Sequence, residues 1–406
     1  MDRADAEASP GAGGGRIPVP GRKPGGHPVR VTTFELFFDL VYVFAFTQVS
    51  RLMAETHSAL GVVQALVVLS LLWWTWVGFS WISNQASVDQ PPLWIGMTVT
   101  MIAVFVAALT IPEAYEDLEG GWYGPLVFAC AYAIVRLAHL TIYAIVSRAD
   151  PALRRQLLIF VGALVPAVAL ILFGALIGGQ TQLWLWIVAM AYDLVATRVG
   201  SALGRGWRIP SVEHWAERYG LVVILALGES IVAIGVGVAA EPIDLPIILG
   251  SAAAIVVSVL LWWSYFARLA GQGERRLAER DEHARAILAA DAYSYTHLLI
   301  IAGIIVVALG IEEAMKHVSE WDHLGWFGAI ALGVGIAAFA AGTALFARLI
   351  GDGVPAFRIG EAAVILVSIP LLAAVPALVA LVIAAAVLGL MALAERTVER
   401  RRVAPS

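Results

Sequence analysis

The chain has 406 residues, of which 60% are hydrophobic and only 14% are charged, and its net charge is -5. A soluble domain is about 45 to 50% apolar and about 25% charged, so this composition excludes an ordinary water-soluble protein. Nothing in it is typical of a nucleic-acid-binding surface, which needs clustered Lys and Arg residues. Because Cys130 is the single cysteine, an internal disulfide is also excluded.

Apolar segments recur along the chain, and each is long enough to cross the roughly 30 Å hydrocarbon core of a bilayer. Charged residues or Pro and Gly mark the breaks between them. The segments cover residues 34–54, 60–82, 92–111, 123–147, 156–178, 182–202, 214–240, 245–268, 285–311, 325–349, 357–375 and 377–395. The sequence therefore predicts an all-α, polytopic transmembrane bundle of about 12 helices.

The ends and loops of the chain indicate how the bundle is oriented. Residues 1–30 are rich in Gly, Pro and Arg and are predicted to form a disordered tail. Cytoplasmic loops retain Lys and Arg, and with the N-terminus inside only Arg51 and Lys316 of the loop cations fall outside. Both termini, including a tail at 397–406, are therefore predicted to be cytoplasmic. The cations on that side are Arg3, Arg16, Arg22, Lys23, Arg30, Arg148, Arg154, Arg155, Arg205, Arg208, Arg275, Arg276, Arg280, Arg348, Arg358, Arg396, Arg400, Arg401 and Arg402.

Similar motifs occur in the same order in the two halves of the chain. LLWWTW at 71–76 recurs as LLWWSY at 260–265, and ALTIPEA at 108–114 recurs as ALGIEEA at 308–314. Chance similarity between apolar segments is the alternative to duplication. Since each unit would hold six helices, an even number, both would have one orientation, which predicts two parallel repeats. The predicted repeats are residues 31–204 and 205–396.

The first helices of the two halves also align, although more weakly. The alignment pairs Glu35 with Glu217, Thr47 with Glu229 and Gln48 with Ser230. These six residues are the candidates for an ion path, together with Asp39.

Two long segments resemble the signature of the bacterial low temperature requirement A (LtrA) family. They are FELFFDLVYVFAFTQ at 34–48 and HWAERYGLVVILALGESIVAIG at 214–235. WWSYF at 262–266 and YTHLLIIAGIIVVALGIE at 295–312 extend the likeness, which spans about residues 30–395. The resemblance implies a polytopic protein of the bacterial inner membrane, and it brings no agreed substrate.

A second resemblance is to endolysosomal and bacterial potassium channels with a Phe-Ser-Asp signature at the start of a six-helix repeat. Phe37, Phe38 and Asp39 would occupy those positions, and the layout of six plus six helices would fit. Phe38 replaces the Ser, however, and the second half reads Arg218-Tyr219-Gly220 with no Asp.

Carboxylates inside apolar segments are the sharpest functional candidates, because a charge at membrane depth costs about 2.5 kcal/mol or more and needs a partner, water or a role. Glu35 and Asp39 are four residues apart and share a helix face, so they either anchor the helix start or act in function. Glu229 lies about fifteen residues into its segment and could carry a proton or bind a cation. A static ion pair with an Arg of another helix is the alternative.

Other polar side chains are predicted to form a buried network. Arg136 is the expected countercharge for Glu229, Asp193 or Asp291, and the sequence does not choose among them. His214 and Arg218 are expected to contact Glu35 or Asp39. The members of this network are Arg136, His139, Asp193, His214, Arg218, Asp291 and His297. No metal site, cofactor or catalytic set is predicted, since no Cys/His spacing or Ser-His-Asp arrangement is present.

These features predict a transporter or channel for a small ion or polar solute, with proton coupling as an option. The first helices of the two halves would line its path. A membrane-embedded enzyme acting on a lipid, and a structural or accessory membrane protein, are the alternatives. The expected partners are the lipid bilayer and the transported ion or solute, without nucleic acid; a homodimer is left open.

Overall fold

The computed structural model describes residues 30–86, 90–204, 208–352 and 356–403. Residues 1–29 of the predicted tail and the loop residue Arg205 lie outside the described residues. So do residues 404–406 and the side chains of Arg400, Arg401 and Arg402.

The described chain is almost entirely helical. Its first half holds α1 (Thr33–Thr56), α2 (Ala59–Gln85), α3 (Pro91–Leu109), α4 (Gly124–Val146), α5 (Pro151–Ile177) and α6 (Gly179–Gly204). Its second half holds α7 (Val212–Gly237), α8 (Leu245–Phe266), α9 (Leu269–Ala278), α10 (Glu282–Leu288), α11 (Thr296–Lys316), α12 (Gly325–Leu349), α13 (Ala356–Ala374) and α14 (Ala377–Val403). A π-helix, Ala289–Tyr295, joins α10 to α11.

Twelve helical units in the described ranges are long and apolar enough to span a membrane. The units α8–α9 and α10–π-helix–α11 each count as one. The predicted all-α, multi-pass membrane architecture is therefore confirmed, with each unit lying where an apolar segment predicts it.

The helices begin where local chemistry satisfies their first N–H groups. Thr32 precedes α1, and its Oγ1 accepts a hydrogen bond from the Glu35 backbone N at 3.2 Å. Glu35 Oε2 in turn accepts from the Thr32 backbone N at 2.9 Å, which completes a capping box. α5, α7 and α8 each begin after a simpler cap, in which one side chain accepts a backbone N–H. These capping residues are Asp150, Ser211 and Asp244.

Contacts between loops show that the spans run alternately up and down. At the end of the bundle where α1 begins, the Arg208 side chain lies 3.4 Å from Asp150 and 3.1 Å from Glu282. At the opposite end, the Ala377 backbone N donates to the Asp322 carbonyl O at 2.9 Å. We call the first the basic end, which carries Arg148, Arg154, Arg155, Arg208, Arg275, Arg276, Arg280 and Arg348. We call the second the acidic end, which carries Glu113, Glu116, Asp117, Glu119, Glu241, Asp244, Glu320 and Asp322.

Glycines bring α11 and α12 together at the centre of the bundle. A Cβ built on Gly303 would lie 2.5 Å from the Phe339 backbone N, and one on Gly335 would lie 2.5 Å from the Val307 backbone N. The two backbones are therefore in direct contact, as is common between membrane helices with small interface residues. α11 is enclosed by its neighbours, and 83% of its most apolar stretch is buried.

The same pairs of helices pack together in the two halves. In the first, α1 contacts α2 and α3, and the pairs α3–α4, α4–α5 and α5–α6 follow. In the second, α7 contacts α8 and α11, and the pairs α11–α12, α12–α13 and α13–α14 follow. The predicted duplication is compatible with this order, but it stays a prediction because an equal packing order does not establish that the two halves share one structure.

α1 and α7 lie side by side and run in the same direction. Near their starts, the Val31 backbone N donates to Glu217 Oε2 at 3.0 Å. Further along, Thr47 Oγ1 donates to Glu229 Oε2 at 2.7 Å, and these two residues are 182 apart in the chain. The helices aligned by sequence are thus direct neighbours, and their contacts occur in nearly the same register as the alignment.

Candidate functional site

Arg218 holds a buried group of charges at the basic end of α1 and α7. Its Nη1 donates to Glu35 Oε1 at 2.9 Å, and its Nη2 donates to Asp39 Oδ1 at 2.6 Å. Arg218 and Asp39 are both 0% exposed. Glu35, Asp39, His214 and Arg218, which we call the Arg218 cluster, thus bring the two acids of α1 against one face of α7.

The histidine of the Arg218 cluster has a defined orientation. The Asn84 amide N donates to the Ser211 carbonyl O at 2.7 Å and lies 3.2 Å from His214 Nδ1. Because an amide N donates, His214 Nδ1 accepts, and Nε2 carries the proton that faces Glu35 Oε1 at 3.0 Å. Two carboxylates of α1 thus face one guanidinium and one imidazole of α7.

Residues of α2 that the sequence did not single out complete this cluster. Trp76 Nε1 donates to Asp39 Oδ1 at 2.8 Å, and Ser83 Oγ accepts from Arg218 Nη1 at 3.1 Å. The Arg218 guanidinium also lies 5.4 Å from the centre of the Trp76 ring. A signal was present, since Ser83 and Asn84 are adjacent polar residues in the last turn of a mostly apolar helix.

Glu229 borders a cavity of about 410 Å³, and the exposed lining side chains of Arg51 and Glu55 place its opening at the acidic end of α1. Its side chain is 3% exposed and accepts the Thr47 hydroxyl at 2.7 Å. We call this space the Glu229 cavity. Its lining consists of Thr47, Ser50, Arg51, Ala54, Glu55, Glu229, Ala233, Val236, Glu312 and Lys316.

The other charged residues of the Glu229 cavity are paired with one another. Arg51 Nε lies 2.7 Å from Glu55 Oε1, and Lys316 Nζ lies 2.8 Å from Glu312 Oε1. Lys316 Nζ is also 2.8 Å from Glu313 Oε1. Within the described ranges, no basic side chain lies within 4 Å of the Glu229 carboxylate. The cavity therefore has one carboxylate that lacks a countercharge.

Buried side chains fill the interval between the Arg218 cluster and the Glu229 cavity. Arg218 and Glu229 are separated by about 16 Å along α7, given a rise of about 1.5 Å per residue. Buried side chains of α1 and α7, including Phe46, Val222 and Ala226, occupy this interval. Tyr42 is also buried there, and its hydroxyl lies 3.0 Å from the Thr75 hydroxyl.

The remaining predicted network separates into individual pairs. Arg136 Nη2 lies 2.6 Å from Asp193 Oδ2, and both side chains are buried, so Asp193 is the partner among the three acids considered. Asp291 pairs instead with Arg198, whose Nε lies 2.6 Å from Asp291 Oδ1. Sequence reasoning missed Arg198, although a cation near the end of an apolar segment was a visible signal.

The two other histidines of the network are buried in different surroundings. His139 borders a small space of about 30 Å³ beside Arg136, which has room for about one water molecule. His297 Nε2 lies 2.8 Å from the Tyr265 hydroxyl, and its Nδ1 lies 3.2 Å from the Ala292 carbonyl O in the π-helix. Neither histidine reaches the Arg218 cluster or the Glu229 cavity.

Three further candidates lie near these sites without joining their charges. Glu217 accepts the Val31 backbone N–H rather than contacting the Arg218 cluster. Gln48 is half-buried and Ser230 is buried, and neither lines the Glu229 cavity. Across the described part of the chain, no group of three or more His, Cys, Asp or Glu residues is placed to hold a metal ion.

The fold and these buried charges define a polytopic helical membrane protein with ionisable groups along one helix pair. The profile of the bacterial low temperature requirement A protein (LtrA) family matches residues 30–393, and the chain belongs to this family. An uncharacterized protein of Rhizobium meliloti (strain 1021) is 29% identical over 301 residues, which cover 70% of this chain and 69% of that relative. No solved structure matches the chain significantly.

Proposed function

We propose that this LtrA-family protein is a transporter or channel for a small cation or polar solute, with its path along α1 and α7. The observation that carries the proposal is Glu229, a carboxylate that is 3% exposed, lacks a basic partner in the described chain and faces an open cavity. Such a residue inside a membrane is costly unless it serves a function. Binding of a cation or a proton would supply the missing charge.

The two ends of the α1–α7 pair support a cycle with alternating access. The Glu229 cavity is open at the acidic end, and the buried Arg218 cluster with the packed interval closes the basic end. Release toward the basic end would require Arg218 to part from Glu35 and Asp39. Rocking of one helix group against another is a common way to achieve such a change.

The proposal includes the predicted duplication and orientation. Residues 31–204 and 205–396 would be parallel repeats whose first helices, α1 and α7, meet at the path. The matching order of helix pairs in the two halves supports this assignment. The basic end would face the cytoplasm and the acidic end would face the outside, as the distribution of loop charges predicts.

Flux measured in proteoliposomes tests the proposal. The purified protein is reconstituted, and uptake of K⁺, Na⁺, H⁺, amino acids and n-butylammonium is followed for the wild type and for Glu229→Gln. We expect flux of at least one of these solutes and at least a tenfold loss in Glu229→Gln, because the amide removes the negative charge at the same size. Glu241→Gln, at an exposed position of the acidic end, is the control and should retain flux.

A structural role for the buried charges is the competing function, and the closed Arg136–Asp193 pair favours it for those two residues. In that case Glu229→Gln and Asp39→Asn would change stability and leave any flux intact. An enzymatic role has less support, because His214 is buried and both of its ring nitrogens are engaged. Absence of flux for the whole panel would overturn the transport proposal.

A further inference from the structure

We infer that the Glu229 cavity binds a small organic monocation, an alkylammonium with a short apolar tail, in preference to a zwitterion, an anion or a bare alkali ion. The inference deepens the proposed function, since this solute would be the transported one. It is argued from the charge, the occupied partners, the size and the hydrogen-bonding groups of the cavity.

The charge of the cavity calls for a cation. Its lining carries three carboxylates, those of Glu55, Glu229 and Glu312, against the two cations Arg51 and Lys316. Glu313 also contacts the Lys316 ammonium. Carboxylates therefore outnumber cations in the cavity whether or not Glu313 is counted. A single positive charge beside Glu229 would neutralise the one carboxylate of the lining that has no basic partner.

The two cations of the lining are already engaged, which argues against a solute with its own carboxylate. Arg51 is held by Glu55 at 2.7 Å, and Lys316 is held by Glu312 at 2.8 Å. A zwitterion would have to break one of these pairs in order to bind its carboxylate end. An anion would face the uncompensated Glu229 as well.

The size and walls of the cavity favour an organic ion over a bare alkali ion. Its volume is about 410 Å³, and a water molecule takes about 30 Å³ in the liquid, so a bare alkali ion would leave the space mostly to water. Cavities of roughly 300 to 1,000 Å³ are typical of small-molecule sites. Ala54, Ala233 and Val236 provide an apolar wall against which a short alkyl chain can lie.

The polar atoms near Glu229 suit a group with several N–H donors. Ser50 is 2% exposed and lines the cavity, and its hydroxyl interacts with the Glu229 carboxylate, which leaves the lone pairs of its oxygen free to accept a donor. An ammonium has three donors and no acceptor. It can therefore bind Glu229 and the Ser50 oxygen together, while Thr47 continues to donate to Glu229.

Calorimetric titration of the purified full-length protein in detergent at pH 7 tests this site. The probes are n-butylammonium, butyrate, 4-aminobutyrate, 1,4-diaminobutane and K⁺. We expect saturable binding of n-butylammonium, at least tenfold tighter than that of any other probe, and at least a tenfold loss of that binding in Glu229→Gln. Glu241→Gln should bind n-butylammonium as the wild type does.

Ala54→Phe provides a second variant that keeps every charge and fills the cavity. It should also lose n-butylammonium binding, and size-exclusion chromatography checks that each variant is folded. Equal binding of 4-aminobutyrate or butyrate, or binding that survives both substitutions, would overturn the inference. Binding of the amine without any flux would overturn the proposed transport alone, whereas flux of K⁺ without binding of the amine would overturn the inference alone.

Discussion

At the scale of single residues, the chain solves the problem of charge in a membrane in two ways. Arg136 and Asp193 lie 2.6 Å apart with both side chains buried, so each supplies the countercharge of the other. Glu229 instead faces a cavity and has no basic partner in the described chain. The first arrangement needs no further group, whereas the second leaves a place for the cation that we propose.

Replacing one or both members of the Arg136–Asp193 pair should show that it acts as a structural unit. Arg136→Met leaves Asp193 buried without a partner and should lower the free energy of unfolding by about 3 to 5 kcal/mol, whereas Arg136→Met with Asp193→Leu should recover most of that loss. Chemical denaturation in detergent micelles measures both variants. The exposed Arg154→Met is the control and should change little. A double variant as unstable as the single one would contradict this expectation.

The sequence predicted the contact between α7 and the acids of α1, but not the partner of Arg136. Spacing shows which residues share a helix face, so Glu35 with Asp39 and His214 with Arg218 were recognisable as pairs. Spacing does not show which helix a face meets. Asn84 and Trp76 were missed for the same reason, because their roles depend on α2 packing across both α1 and α7.

At the scale of helices, apolar length predicted the existence and order of all twelve spans. Among the helix starts, the one that differed most is that of α5, expected at residue 156 and found at Pro151. Arg154 and Arg155 were read as loop residues, yet charged side chains can continue a helix beyond the apolar core of the membrane. Asp150, which caps the first turn, was the local signal for the earlier start.

The contact between α11 and α12 depends on glycine. Gly335→Ala places a Cβ 2.5 Å from the Val307 backbone N, and we expect a loss of about 1 to 3 kcal/mol of stability because the two backbones must separate. Gly360→Ala is the matched control, since a Cβ there meets nothing within 4 Å. Thermal unfolding of both variants in the same detergent compares them directly. Equal melting temperatures would show that the helices tolerate the added methyl group.

At the scale of the whole molecule, the helix pairs follow the same order in the two halves of the chain, and α1 and α7 lie side by side and parallel. Sequence order alone predicted a layout of two repeats, because the LLWW and glutamate-alanine motifs recur in the same order in both halves. It could not show that α1 and α7 touch, since contact between distant segments depends on how the halves dock. The lining of the Glu229 cavity combines residues of α1, α7 and α11, and the sequence could not predict it for the same reason.

The proposed orientation can be tested in intact bacterial cells. In a Cys130→Ser background, a cysteine in place of Glu119 at the acidic end should react with a membrane-impermeant maleimide added outside. A cysteine in place of Arg280 at the basic end should react only after the inner membrane is permeabilised. The reverse pattern of labelling would place the Glu229 cavity on the cytoplasmic side.

The π-helix at Ala289–Tyr295 changes the helical phase within the ninth span, the α10–π-helix–α11 unit. Each α-helical residue advances the side-chain direction by about 100°, and a π-turn accommodates an extra residue, so the two flanking segments are out of phase. Within the π-helix itself, Asp291 contacts Arg198 on α6, and the Ser294 carbonyl O accepts Trp73 Nε1 at 2.9 Å from α2. A regular helical wheel drawn through 282–316 would therefore assign one of its two ends to the wrong face.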